Sequence, residues 1–435
     1  MKCIQCQTDN TLKDRTDNSG RCKQCQHPFV FEPTAMRIVK VTDVMFAKAL
    51  ADLSVNDTLY FTPKQLFYLL NKRLQGKTLY SGLASLILCG FLTFFTSIVF
   101  VLPNLAEGNP FPLVIPVAIN LVFLLILLYQ SADRAAPSKS RQIAARCLQV
   151  QGIAILGVGI LLSLSLKLFP VFVAAVVIGI LAIYLGAWQH KVQANTAQTV
   201  LLEANQFQEW LTRWQDINPI AKLLPIPKEN TLPAAINPDV TAYSFDRLVV
   251  TDSAAIAQLL IANNFHFENN CAILSITGYP QSIFQTTMEM LRRNPDLKVY
   301  AFHDCSAKGM SLVNHLRTNS SWFSDGSVEI FDVGLMPRQI LSLPNSLIQQ
   351  STDYAGAAKR LPESIRRQLS KDELAWLDEG NVVLLESFTT QRLIQALNRG
   401  IAASRGLIEG SSDGGSDLIF VGDSGSPYYS VESFG

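Results

Sequence analysis

The chain has 435 residues, a formal net charge of +1 and 49% hydrophobic residues. That length accommodates two or three domains, and a charge so near zero excludes the global basic field that drives non-specific nucleic-acid binding. Met1-Lys2-Cys3 runs into a polar stretch without an apolar core, so no secretory signal is expected, and four of the eight cysteines are scattered rather than paired in a disulfide framework, which suits a reducing compartment.

Residues 1–33 hold Cys3-Ile4-Gln5-Cys6 and Cys22-Lys23-Gln24-Cys25, two CxxC pairs separated by fifteen residues. Each pair presents two thiolates at the spacing that a tetrahedral Zn²⁺ requires. Cys3, Cys6, Cys22 and Cys25 fill four coordination positions, so His27 is left out of the ligand set. The polar segment between the pairs suits a hairpin turn at Asn18-Ser19-Gly20, and Phe29-Val30-Phe31 reads as a closing strand. This stretch resembles the zinc ribbon family, whose members use the metal as their folding core and bind either nucleic acid or protein.

Residues 34–78 form a short helical segment. Val44, Met45, Ala49 and Leu53 have helical spacing, and Leu59-Tyr60-Phe61 reads as a brief strand. Thr62 is a good N-cap, with Pro63 at the first helical position and Leu66, Phe67, Leu69, Leu70 and Leu74 on the apolar face.

Residues 79–188 contain four runs without a charged side chain, at 79–102, 111–129, 147–166 and 171–188. About 20 apolar residues in a helix cross the hydrocarbon core of a bilayer, so four transmembrane helices are expected. Lys72, Arg73 and Lys77 precede the first run, and Arg134, Lys139, Arg141 and Arg146 lie between the second and third. The loop at 103–110 carries Glu107 and no base. This asymmetry puts both termini on the cytoplasmic side of the plasma membrane in a multi-pass protein. Lys167 alone runs against it. No ionisable residue sits mid-span, and Asn120 is read as an interhelical hydrogen bond. Gly159/Ser163, Ala175/Gly179 and Ala182/Gly186 let helices approach closely, favouring a compact scaffold over a pore.

A polar helix follows in residues 189–240, with Phe207, Trp210 and Leu211 apolar, and then a linker with prolines at 219, 225, 227, 233 and 238. In residues 241–400 apolar strands at 248–251, 271–277, 297–303 and 327–333 alternate with helices at 253–264, 281–293 and 306–317. A helix at 371–378, a strand at 382–386 and a helix at 390–398 complete the region. The pattern predicts an α/β fold with a parallel sheet covered on both faces. Ligands of such sheets bind beyond the carboxyl ends of the strands. Those ends carry Thr251-Asp252, Thr277-Gly278-Tyr279, His303-Asp304 and Asp332, a layout able to hold Mg²⁺. The alternative is that Asp252, Ser253 and Ser306 cap the helices that follow them. His303 is read as a hydrogen-bonded group rather than a base.

Two stretches resemble the A subunit of topoisomerase VI. Thr277-Gly278-Tyr279-Pro280 and Asp304-Cys305-Ser306-Ala307-Lys308-Gly309 are similar to the loop and acidic motifs of its Toprim domain. Thr62-Pro63-Lys64-Gln65-Leu66-Phe67-Tyr68 is similar to the motif around its DNA-cleaving tyrosine. The resemblance implies that Asp252 and Asp304 stand for two Mg²⁺ ligands, Tyr68 for the nucleophile and Lys64 for the motif's arginine. Ser306 replaces a third carboxylate, which implies a degenerate site, and the segment at 34–78 is then a winged-helix remnant.

Residues 401–435 form the tail. Its last 25 residues hold seven Ser, five Gly, four acids and no base, a composition expected to be disordered. Two functions follow from these readings. The first is a membrane-anchored zinc protein of regulatory or interaction type with a degenerate, non-catalytic Toprim-like domain, which meets a protein or nucleic-acid partner at the cytoplasmic face; a homodimer is one candidate assembly. The alternative is a membrane-tethered, Mg²⁺-dependent Toprim nuclease or topoisomerase-like enzyme. A transporter is disfavoured by the uncharged spans.

Overall fold

The computed structural model describes residues 1–36, 40–77, 80–101, 114–132, 138–166, 169–194, 202–227, 245–294, 296–324, 328–342, 347–408, 418–421 and 428–431. The chain divides into two compact units, one of residues 1–70 with 202–435 and the other of residues 71–201. The four-cysteine segment, the residues after it as far as Leu70 and the α/β region therefore belong to one unit, interrupted in sequence by the apolar helices.

The cysteine-bearing segment of residues 1–33 differs from expectation in two places. Between its cysteine pairs lies a helix, α1 (Leu12–Asp17), and not only a turn. Thr11 and Asp14 form a reciprocal capping box that satisfies its first N–H groups. Phe29-Val30-Phe31 forms no strand, because the carboxylate of Asp43 captures the Val30 and Phe31 N–H groups, both at 3.0 Å. Asp43 opens α2 (Asp43–Ser54), which is capped by Thr42. Phe31 is buried against Phe46 of α2 and against Trp210 and Trp214. The expected strand at 59–61 is a single parallel bridge, Phe61 to Leu223, ahead of α3 (Pro63–Lys77).

The inserted unit contains α4 (Tyr80–Thr96), which runs into a π-helical turn (Ser97–Val101), then α5 (Val114–Ala132), α6 (Ser138–Leu166) and α7 (Phe169–Ala194). Among the described residues, three stretches are long and apolar enough to cross a membrane, Ile115–Ala132, Ile143–Leu161 and Phe169–Gln189. The apolar part of α4, Ala84–Val99, is shorter. Large apolar side chains such as Phe91, Leu161 and Val177 lie exposed on these helices. Gly159, Ala175, Gly179, Ala182 and Gly186 lie at the α6–α7 contact. A Cβ at Gly186 would sit 2.8 Å from the Ala145 carbonyl oxygen, and one at Gly159 would overlap Ala175. Asn120 Nδ2 donates to Thr93 Oγ1 (3.0 Å), and Gln151 Nε2 donates to the Asn120 carbonyl (2.9 Å), tying α4, α5 and α6 together.

The expected helix at 189–214 is divided: α7 reaches Ala194, and α8 (Ala204–Ile217) follows. Residues 228–244, with the later linker prolines, lie outside the described residues. Helix α8 buries Phe207, Trp210, Leu211 and Trp214 on one face.

The α/β region is built on a six-stranded sheet of order β2-β1-β3-β4-β8-β7. Its strands are β1 (Arg247–Thr251), β2 (Cys271–Ser275), β3 (Lys298–Phe302), β4 (Glu329–Asp332), β7 (Leu418–Val421) and β8 (Tyr428–Val431). All neighbours pair in parallel except β7 with β8. Between the strands run α9 (Ala254–Ala262), α10 (Phe265–Glu268), α11 (Gln281–Arg292), α12 (Ala307–Met310) and α13 (Leu312–Thr318). Strands β1 to β4 are buried at nearly every residue, as a sheet covered on both faces requires. Leu248, Val250, Leu274, Val299, Ala301 and Ile330 share one core with Leu291, Leu316 and Trp322.

A second lobe contains α14 (Pro337–Ser342), α15 (Thr352–Lys359), α16 (Glu363–Arg366), α17 (Lys371–Asp378) and the antiparallel pair β5 (Gln349–Gln350) and β6 (Asn381–Val382). The strand expected at 382–386 is thus two residues long and gives way to a 3₁₀ turn at Leu385–Ser387. Helix α18 (Thr390–Ile408) continues past residue 400. The tail read as disordered supplies β7 and β8, with β8 joined to β4.

Candidate functional site

Each CxxC pair is folded the same way. Thr8 and His27 carbonyls accept from Cys3 and Cys22 N–H, while Gln7 and Gln26 N–H return to the carbonyls of Cys3 and Cys22. Gln7 and Gln26 both take a left-handed conformation, which turns the chain back under the thiols. The four Sγ atoms lie within 4.8 Å of one another, with Cys3–Cys25 and Cys6–Cys22 at 3.6 Å. A tetrahedral ion bonded at about 2.3 Å separates its sulfurs by roughly 3.8 Å, so the cluster has the dimensions to hold a metal ion. Asn10 Nδ2 points at Cys22 Sγ (3.5 Å) and its Oδ1 accepts from Lys23 N–H. Burial alone would raise the Cys22 thiol. The backbone N–H groups of Cys25 and Gln24, with Asn10, instead bring it down to about 6. At Cys25 the His27 N–H favours the thiolate, yet burial and the three neighbouring thiols push it up to about 12. Four thiols so crowded ionise together only around a cation.

The second site follows from strand order. The chain passes from β1 outward to β2, then crosses back to the other side of β1 for β3. The carboxyl ends of β1 and β3 therefore flank a topological switch point, where α/β sheets open a crevice. Register pairs Thr251 with Phe302, which puts Asp252 beside His303. Asp304 N–H donates to Asp252 Oδ2 (3.0 Å), and Leu385 N–H donates to Asp304 Oδ1 (2.5 Å). Asp252 is 5% exposed, and its Oδ1 has no hydrogen-bond partner among the described residues. Burial raises the Asp252 carboxyl, and burial together with the charge of Asp252 raises Asp304 well above the carboxylate range. Lys308 Nζ reaches the Asp252 carbonyl (3.2 Å).

His303 is fully buried. Its Nε2 faces Asp332 Oδ1 (3.0 Å) and its Nδ1 faces the Asp304 carbonyl (2.8 Å). Both partners only accept, so both ring nitrogens must donate and the ring carries a charge. Burial opposes that charge, but Asp332 and Asp252 outweigh it and hold the pKa near 9. Gly309 and Gly334 make room for the ring, since a Cβ at Gly334 would overlap it. His303 is therefore a structural clamp.

Residues from the far end of the chain complete the site. Lys64 pairs with Glu386 at 3.0 Å, Gln65 Nε2 donates to the Phe388 carbonyl (2.9 Å), and Gln349 Nε2 donates to Tyr68 Oη (2.6 Å). Tyr68 is 6% exposed; burial raises its phenol, with Glu386 and Asp304 adding to the effect and Lys64 opposing it. Tyr68 and Asp304, expected from separate motifs, thus belong to one electrostatic neighbourhood with Asp252. Ser306 caps α12 by accepting from Gly309 N–H, while Ser253 makes no side-chain cap. The loop with Thr277 and Gly278 follows β2, the edge strand on the far side of β1 from β3. Among the described residues the four cysteines are the one group of three or more acids, His or Cys close enough to share an ion, so no third carboxylate joins Asp252 and Asp304 in such a cluster. Glu386 and Gln349 were not legible as site residues, since each is more than 280 residues from the α3 side chain it meets. Compared with known proteins, the chain matches no family profile and no curated sequence.

Proposed function

We propose that this chain is a membrane-anchored zinc protein of regulatory or interaction type, whose α/β region is a degenerate, non-catalytic Toprim-like domain. One observation carries the reading: the acids that correspond to metal ligands hold the fold instead. Asp252 binds the Asp304 N–H, and Asp304 binds the Leu385 N–H. A buried phenol with a raised pKa is likewise a poor nucleophile, as Tyr68 would have to be. Zinc is the ion that suits an all-thiolate, closed tetrahedral set. It would fold the ribbon and do no chemistry there.

The anchor is read as four spans. Residues 70 and 202, on either side of the apolar helices, belong to the same compact unit. A water-soluble unit lies on one side of a bilayer, so the chain between must cross an even number of times. Among the described residues three helices meet the length requirement, and we read α4 with its π-helical turn as the fourth crossing. The basic residues before residue 79 and at 134–146 put the soluble unit in the cytoplasm, at the plasma membrane. The ribbon and α/β region then face a protein or nucleic-acid partner together.

The second reading, an Mg²⁺-dependent nuclease or topoisomerase-like enzyme, is favoured by the buried, unpartnered Asp252 Oδ1 close to Asp304. The two part on incubation of purified full-length protein with supercoiled plasmid and Mg²⁺. The regulatory reading expects intact plasmid, whereas cleavage or relaxation that Asp304→Asn abolishes establishes the enzyme.

A further inference from the structure

Away from the switch point, a cavity of about 250 Å³ opens between α13, the carboxyl end of β4 and helices α16 and α17. Its floor is apolar and buried, formed by Met310, Val313, Met336 and Ile365. The polar groups around that floor are spent on the fold. Asp332 Oδ1 accepts from the charged His303 ring and from Gly334 N–H. Glu373 accepts from the N–H groups of Arg338 and Ser370, one through each oxygen. Arg317 and Arg338 have partners of their own within the protein, and the Thr318 hydroxyl donates to the Asn314 carbonyl. What the cavity offers a ligand is therefore its apolar floor.

We propose that this cavity binds a compact, neutral aromatic molecule. An ion of either sign would shed its water on entry and meet no charge left over to pair with it. A neutral ring gives up little hydration and gains contact with four apolar side chains. Size sets the class further. An apolar cavity of about 150 Å³ holds one benzene ring, so this one has room for two fused rings. Two of the four floor side chains are methionines, whose unbranched, polarizable thioethers adapt to flat rings and attract them. That favours an aromatic body over an aliphatic one of equal volume. The carboxyl end of a parallel strand is also where ligands of such sheets enter. The site stands apart from the Asp252–Asp304 pair and does not rest on the function proposed above.

Calorimetric titration of the full chain in detergent with indole, against a blank of detergent alone, tests this. Saturable binding of one indole per chain is expected. Indole-3-acetate, the same rings with a carboxylate, should bind about tenfold more weakly, since its charge must be desolvated. Ser364 lines the cavity from an exposed position. Ser364→Trp should therefore fill the space and abolish indole binding while leaving the thermal midpoint unchanged. Met336→Leu keeps the volume and removes a sulfur, and should weaken indole about threefold. Absence of saturable heat above the blank overturns the proposal, and so does binding that survives Ser364→Trp. Tighter binding of indole-3-acetate than of indole refutes the neutral class, and an affinity unchanged by Met336→Leu refutes the aromatic one.

Discussion

Asn263 is one of the residues that hold the N-terminal segment to the sheet region, and its removal has a calculable effect. Asn263 Oδ1 accepts from Tyr60 N–H at 2.8 Å. Its Nδ2 donates to the Tyr60 carbonyl at 3.2 Å and to the Leu259 carbonyl at 2.8 Å. The Tyr60 carbonyl has a second donor in Thr390 Oγ1, at 2.9 Å. Asn263→Ala therefore strands the Tyr60 N–H but not its carbonyl. An orphaned amide costs about 1–3 kcal/mol and each lost neutral bond about 1, so a destabilisation of roughly 3 kcal/mol is expected. Asn263→Asp keeps the acceptor and should lose about half as much. Thr390→Val alone should cost about 1 kcal/mol, because Asn263 still serves the carbonyl. The double variant strands that carbonyl too, so the two effects should exceed their sum by about 1 kcal/mol. Urea unfolding of the detergent-solubilised chain, followed by tryptophan fluorescence, measures all four. A loss below about 0.5 kcal/mol for Asn263→Ala, or strict additivity with Thr390→Val, refutes the docking of residues 59–68 on the α/β region.

Further predictions concern the metal, the clamp and the helix packing. Cys22→Ala should lower bound zinc, by elemental analysis, from one ion per chain to near none, and a strong chelator should expose the ribbon to protease in the parent protein. The folded His303 pKa, about 9, lies above its unfolded 6.5, so its stabilisation is full below about pH 6.5 and fades as pH rises through 9. Unfolding free energy should fall by roughly 3 kcal/mol across that window, and His303→Gln should flatten the dependence. Gly186→Leu places a side chain against the Ala145 carbonyl and Gln149, so its thermal midpoint in detergent should drop well below that of Gly157→Leu, where a Cβ meets nothing within 4 Å.

What the sequence disclosed, and what it concealed, divides along physical lines. Strands β1 to β4 were legible because full burial on both faces demands unbroken apolar runs such as Leu248-Val249-Val250. Helix α17 was legible with its bounds, and its start carries the Ser370–Glu373 capping box. The same signature at Thr11–Asp14 opens α1, whose six residues are too few to show a helical period. Strand character at Val30-Phe31 was a fair reading of the side chains, but the backbone donors go to Asp43, a partner twelve or thirteen residues away that no local pattern discloses. β5 and β6 hold two residues each, too few for any periodicity. In the tail, Leu418-Ile419-Phe420-Val421 and Tyr428-Tyr429-Ser430-Val431 are strand-like runs whose signal was lost in the surrounding serine and glycine. The four cysteines were read directly, because metal-ligand spacing is local. Asp252 and Asp304 meet through one hydrogen bond between neighbouring strand ends, whereas the Lys64–Glu386 and Tyr68–Gln349 contacts span some 300 residues.

The most direct test of the account asks which face of the membrane each segment occupies. Single cysteines at Glu107 and at Ser138, treated in intact cells with a membrane-impermeant maleimide, should differ completely. A cysteine replacing Glu107 is expected to be labelled from outside, and one replacing Ser138 only after the cells are opened. External labelling at Ser138, or protection at Glu107 until lysis, would mean either that α4 does not cross or that the orientation is inverted, and would contradict a soluble unit assembled from both ends of the chain in the cytoplasm.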